Sequence, residues 1–196
     1  GRRCRPCYSL VRRYRHGERQ SHAPHRDSHA IVTVVTSLSD YGREYRGGLY
    51  VSTGFAERQY LGLNGGDSVA HRSTLLHGVQ VDDIEHDPSK TERWSWILWY
   101  RDSDTCEDHG HEWFRDCALA GDVACMEIYA TKVGATVPPH QRAATITEWN
   151  RRAAVEGAGS SAVKIAYAHL KSLPSPLPYD EAAAWKYFQM AVTHTN

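Results

Sequence analysis

Two rhythms of apolar and polar positions run along this chain of 196 residues. Up to about residue 105, apolar and β-branched residues come in short runs separated by glycine-rich breaks. Residues 31–38 (IVTVVTSL) are the clearest strand, because β-branched side chains pack well on a pleated surface. Residues 8–14, 49–51, 60–63, 68–71, 78–81 and 94–100 (WSWILWY) read as further strands. Gly47-Gly48 and the turn Asn64-Gly65-Gly66-Asp67 punctuate them. Several short strands joined by such turns predict an antiparallel barrel or jelly roll.

From about residue 106 the pattern changes to alanine-rich helical periodicity. Ala118, Gly121, Ala124, Tyr129 and Gly134 mark one helical pair. Trp149, Ala153, Ala154, Gly157, Ala162, Ala166 and Tyr167 mark a second. Gly121 to Gly157 is a shift of 36 residues, while Trp149 to Tyr187 and Ala153 to Ala191 are shifts of 38. Small residues at fixed places let paired helices approach closely, and a period in the high thirties is that of helical repeats. The expected fold class is therefore α+β: a β-barrel over residues 1–105, lacking its N-terminal part, then helical repeats over 106–196. The Pro-rich stretch from Pro174 to Pro178 replaces a tight turn between the last two helices.

Composition excludes some roles. Lys plus Arg and Asp plus Glu are 23 each, so net charge gives no reason to expect a nucleic acid or anionic membrane partner. The seven arginines from Arg2 to Arg19 read as a solvated strand face, or as a phosphate or acidic-partner patch. No apolar run is long enough for a membrane span. No signal peptide is visible, and the start at Gly1 reads as that of an excised fragment. The protein is expected to be soluble, with its compartment unsettled. Five Cys is an odd count. Cys4 and Cys7 form a CxxC that suggests zinc or redox chemistry, but there is no second CxxC. Cys106, Cys117 and Cys125 read as small core residues of a helical segment.

The candidate chemistry lies in His25-Arg26-Asp27, His77 and Arg93. Two imidazoles and a carboxylate can hold one face of Fe(II) and leave positions for a chelating substrate and O2. His25 and Asp27, two apart on an extended chain, share a face. The set of catalytic and metal-ligating candidates is thus His25, Asp27 and His77. His22-x-x-His25 could instead begin a zinc site, though further ligands at zinc spacing are not evident nearby. Arg93 is the residue type that pins a carboxylate with a bidentate fork, and Ser95 shares its face.

In this order, Tyr14, His25-x-Asp27, Gly47-Gly48, Gly66-Asp67, His77-Gly78-Val79, Arg93-x-Ser95 and Trp99 resemble the Fe(II)/2-oxoglutarate-dependent dioxygenases, and among them the prolyl 4-hydroxylase branch. The resemblance spans residues 8–101 and implies a double-stranded β-helix. It implies that His25, Asp27 and His77 bind iron and that Arg93 binds the distal carboxylate of 2-oxoglutarate. Tyr14, Thr33 and Ser95 would complete the cosubstrate pocket. Ser37 stands where some relatives carry Tyr. The cofactors implied are Fe(II), 2-oxoglutarate as cosubstrate with O2, and ascorbate as an accessory. The implied reaction hydroxylates a C–H bond and releases succinate and CO2. Asp27, rather than a small residue, points to hydroxylation and not halogenation. The helical half resembles Sel1-like repeats, relatives of the tetratricopeptide family. Three functions are open: a peptidyl hydroxylase, acting on a residue such as proline with the substrate docking on the repeats; a small-molecule oxygenase; and a non-catalytic adaptor.

Overall fold

The computed structural model describes residues 4–53, 57–171 and 176–193. The chain divides into two compact units, Gly1–Asp108 and His109–Asn196.

The first unit holds two four-stranded antiparallel sheets. One has the order β1-β8-β3-β6, formed by β1 (Arg5–Arg15), β8 (Glu92–Arg101), β3 (Val32–Ser37) and β6 (Ser68–Arg72). The other has the order β2-β7-β4-β5, formed by β2 (Ser21–His25), β7 (His77–Asp82), β4 (Arg46–Ser52) and β5 (Arg58–Tyr60). Alternation does the sorting, because successive side chains of a strand point to opposite faces. On β3, Thr33, Val35 and Ser37 are buried while Val32, Val34 and Thr36 are partly exposed. On β8, Arg93 and Ser95 point inward and Trp94 and Trp96 outward. Tyr14, Val35, Tyr45, Leu49, Val79 and Val81, drawn from both sheets, make the apolar core.

The strand expected at 60–63 is shorter and earlier, ending at Tyr60. Leu61 still donates its N–H to the Leu49 carbonyl of β4 at 2.8 Å, and Leu61 and Leu63 pack on the core. Strand β2 has no counterpart among the expected strands. Its sequence, Ser-His-Ala-Pro-His, is polar and holds Pro24. Proline donates no backbone hydrogen bond and is tolerated only where the ladder is one-sided, and β2 is the edge of its sheet.

The cysteines differ from the expectation. Cys7 pairs with Cys106, not with Cys4, and Cys117 pairs with Cys125. Cys4 is exposed and unpaired. The strand pairing Arg5↔Arg101 brings the start of β1 beside the end of β8, which places Cys7 within reach of Cys106. The turn at Gly121 folds Cys125 back onto Cys117.

The second unit contains α1 (Gly110–Trp113), α2 (Arg115–Leu119), α3 (Val123–Gly134), α4 (Pro139–Val155), α5 (Gly159–His169) and α6 (Glu181–Thr193). Asp122 caps α3 by accepting from the Cys125 N–H at 2.8 Å, and Pro139 opens α4 at a position where the missing N–H costs nothing. Helices α3 to α6 pack in succession, each on the next. Ala153, Ala154 and Ala162 are fully buried at these contacts, where a larger side chain would force the axes apart. Part of the Pro-rich connection, Pro174-Ser175, lies outside the described residues. Among the described residues no helix is long and apolar enough to cross a membrane.

Candidate metal and anion site

The metal-ligand candidates come from two neighbouring strands of one sheet. β2 ends at His25 and β7 begins at His77, and these two residues are register partners. A register irregularity between His22 and His25 shifts the end of β2, and Asp27 follows two residues beyond it. Ligand atoms of His25, Asp27 and His77 lie within 4.8 Å of one another. His25 Nε2 is 3.5 Å from Asp27 Oδ1, and His77 Nε2 is 3.7 Å from Asp27 Oδ2.

Hydrogen bonds to the backbone choose which imidazole nitrogen faces inward. His25 Nδ1 is 2.9 Å from the Ala23 carbonyl and His77 Nδ1 is 3.1 Å from the Leu75 carbonyl. A carbonyl only accepts, so each Nδ1 carries the proton and each Nε2 is left to face Asp27. This is the arrangement by which backbone carbonyls orient ligand histidines. The Thr33 hydroxyl donates to Asp27 Oδ2 at 2.6 Å. Thr33, expected in the cosubstrate pocket, thereby also fixes the orientation of the carboxylate.

The electrostatics follow from burial and these contacts. Asp27 is 4% exposed. Burial alone would favour its protonated form, but the facing His25, the hydrogen bond from Thr33 and the nearby His77 outweigh burial and hold the carboxyl well below the usual range. The bond to Asp27 raises His25 against its own partial burial. Burial pushes His77 down to about 4, against its bond to the Leu75 carbonyl, and the adjacent His71 lowers it further. The cluster thus offers a fixed anion and a neutral imidazole. Two-nitrogen, one-oxygen sets suit Fe(II).

Arg93 is the second element of the site. It stands opposite Tyr14 across β1 and β8 and is 1% exposed. Its Nη1 lies 3.4 Å from the Ser95 hydroxyl, while Nε and Nη2 are buried without a hydrogen-bond partner. Among the described residues it has no ion pair. Its guanidinium lies 5.8 Å from the Tyr14 ring and 5.4 Å from the Tyr45 ring. Cation–π contact recovers only part of the cost of burying such a charge. Tyr14 is itself buried, which raises its phenol above the ordinary value.

One cleft, open to solvent, joins these parts. Tyr14, His25, Asp27, Thr33, His77, Arg93 and Ser95 all line it. Ser37 is buried but bonds to the Ser39 carbonyl and does not line the cleft. His22, weighed above as half of a zinc pair, and Trp99, part of the resemblance, also line it, as does Arg12, of which no site role was expected. For Arg12 the signal was available: it is two residues from Tyr14 on the same strand and must share its face.

No protein-family model matches the chain, and no curated protein matches it in sequence. Several solved structures are partly similar. One is an oxidoreductase of the 2OG-Fe(II) oxygenase family from Burkholderia pseudomallei: 16% identity, 52% of this chain and 47% of that chain, TM-score 0.41. Another is a prolyl hydroxylase from Trichoplax adhaerens, solved with a hypoxia inducible factor oxygen degradation domain peptide fragment: 18% identity, 48% of this chain and 43% of that chain, TM-score 0.37. A third concerns prolyl 4-hydroxylases from Phytophthora capsici: 14% identity, 94% of this chain and 62% of that chain, TM-score 0.42. This chain spans less than two thirds of the length of each.

Proposed function

We propose that this protein is an Fe(II)- and 2-oxoglutarate-dependent dioxygenase that hydroxylates a C–H bond. The observation that carries the reading is the pairing, in one cleft, of a buried arginine with unpartnered N–H groups and a His-Asp-His cluster whose Nε2 atoms face the carboxylate. An arginine buried without an anion costs stability, and such a cost is understandable where a ligand carboxylate is to be bound. On this reading His25, Asp27 and His77 hold the metal, and Thr33 keeps Asp27 in place. Arg93, with Tyr14 and Ser95 beside it, binds and orients the distal carboxylate of 2-oxoglutarate. The apolar walls from Leu49, Val79 and Ile97 limit water around the reacting groups. When bound, the metal supplies O2 activation coupled to decarboxylation of 2-oxoglutarate to succinate and CO2, with one oxygen atom passing to the substrate.

The strand order supports a double-stranded β-helix for the first unit. The last strand, β8, lies between β1 and β3, and β7 lies between β2 and β4, as a doubly wound jelly roll requires. The successive helix pairs and buried alanines of the second unit support Sel1-like repeats. The substrate we favour is a peptidyl side chain such as proline, with the repeats as the docking surface and ascorbate as an accessory reductant.

The test is an anaerobic titration of the protein with Fe(II) and 2-oxoglutarate, followed by the visible charge-transfer absorption of the chelate. Wild type should show the band. His77→Ala should lose it, and Arg93→Ala should need at least 100-fold more 2-oxoglutarate. A folded wild-type protein with no band would overturn the assignment.

A further inference from the structure

The cleft contains a second guanidinium that the reading above leaves without a task. Arg12 is half-buried, lies on the inward face of β1 between Leu10 and Tyr14, and stands opposite Ser95 on β8. Among the described residues it has no hydrogen-bonded or ion-pair partner. It lines the same cleft as Tyr14, His22 and His25. Among the described residues that line the cleft the one acid is Asp27, and Asp27 is already engaged by Thr33 and the two histidines. The cleft therefore carries one more fixed cation than the metal ligands and a single 2-oxoglutarate would use. Arg93 accounts for the distal carboxylate, because it stands deeper, fully buried, one inward position further along the paired strands.

We propose that Arg12 determines specificity for the primary substrate by binding a carboxylate that the substrate carries close to the oxidised C–H bond. The proposal rests on the dioxygenase reading above. A single guanidinium matches one carboxylate in a bidentate pair, and a half-buried position makes that pair stronger than one at the surface. The carboxylate could belong to a free amino acid or to an acidic side chain next to the target residue of a peptide.

The experiment uses the full chain loaded anaerobically with Fe(II) and 2-oxoglutarate. The charge-transfer band is recorded first, since its absence in wild type defeats the underlying reading and not this one. Matched probes are then titrated by calorimetry: N-acetyl-L-proline against N-acetyl-L-prolinamide, and the peptide Gly-Pro-Glu-amide against Gly-Pro-Gln-amide. At least one acid should bind roughly tenfold or more tightly than its neutral partner. The arm that shows the preference identifies a free or a peptidyl carboxylate. Arg12→Gln should reduce that preference below about threefold with the half-saturation by 2-oxoglutarate unchanged, and Arg12→Lys should restore part of it. Binding of neither member of either pair, or equal binding of both, overturns the proposal. So does a tenfold loss of 2-oxoglutarate binding in Arg12→Gln, which would place Arg12 on the cosubstrate instead.

Discussion

Tyr14 and Arg93 face each other across the β1–β8 ladder, both buried, with the guanidinium 5.8 Å from the phenol ring. The guanidinium keeps its charge at any working pH, yet two of its nitrogens have no partner. Stability and ligand binding should therefore pull in opposite directions at this residue. Arg93→Met replaces a buried, unpaired charge by an apolar chain of similar reach. It is expected to stabilise the ligand-free protein by about 1–3 kcal/mol, while weakening 2-oxoglutarate binding at least 100-fold. Chemical denaturation and ligand titration of the same variant check both. A variant less stable than wild type would mean that the guanidinium is compensated within the protein.

Thr33 tests how the carboxylate is held. Its hydroxyl donates to Asp27 Oδ2 at 2.6 Å in a fully buried setting. Thr33→Val keeps the shape and removes the donor, leaving a carboxylate oxygen short of a partner. Hydrogen bonds to charged groups contribute about 1.5–3 kcal/mol, so Thr33→Val should lose roughly that much stability. It should also bind Fe(II) about 10-fold more weakly, within the range for lost supporting contacts. Thr33→Ser, which retains the hydroxyl, should recover most of both. Equal metal affinity in wild type and Thr33→Val, read by competition with a chelator, would show that Asp27 does not depend on this bond.

Much of this site could be read from residue spacing. The shared face of Arg93 and Ser95 follows from the two-residue period of an extended chain, and the spacing of His25 and Asp27 brings both to one cluster although Asp27 lies beyond the end of β2. That period also identifies the buried face of β3, where Thr33, Val35 and Ser37 alternate with outward residues. What spacing could not supply was anything set by long-range pairing. β2 carries neither β-branched nor alternating residues, and it is a strand because β7 offers it an edge. The hydroxyl of Thr33 could equally have faced a cosubstrate, and only the return of the chain after β2 brings Asp27 to it. The disulfide partners were likewise hidden, since the nearest cysteine in sequence to Cys7 is Cys4 and its partner is 99 residues away.

Gly48 brings the backbone close to Arg93. It has φ +94, and a Cβ there would sit 2.7 Å from Tyr45 Cε2 and 3.4 Å from Arg93 Nε. The Tyr45 ring is fully buried and its hydroxyl donates to the Leu63 carbonyl at 2.6 Å, so it has little freedom to move aside. Gly48→Ala should cost about 2–4 kcal/mol, of which roughly 1–2 is the left-handed backbone alone. Gly17, at φ +72 with nothing within 4 Å of its Cβ position, isolates the backbone part. Gly17→Ala should cost only about 1–2 kcal/mol and leave 2-oxoglutarate binding intact. Gly48→Ala should weaken that binding as Arg93 shifts. Equal losses in the two variants would show that Tyr45 yields freely.

The two disulfides give the last prediction. Of five cysteines, four are paired, which leaves one free thiol, at Cys4. Protein made under oxidising conditions and denatured without reductant should titrate one thiol per chain, and after reduction five. Three thiols before reduction would mean that one bridge is absent, and peptide mapping would say which. Cross-linking residues 99 apart removes chain entropy worth about 4–5 kcal/mol, whereas a separation of 8 removes only about 2–3. Replacing Cys7 and Cys106 together by Ser should therefore lower stability more than replacing Cys117 and Cys125. The first bridge ties the strand that carries Tyr14 to the segment just after the strand that carries Arg93. Its loss should loosen the β1–β8 ladder and weaken 2-oxoglutarate binding as well. Bridges of this kind persist in oxidising compartments. Full 2-oxoglutarate affinity in the reduced protein would show that hydrogen bonding between β1 and β8 holds the anion pocket without the covalent tie.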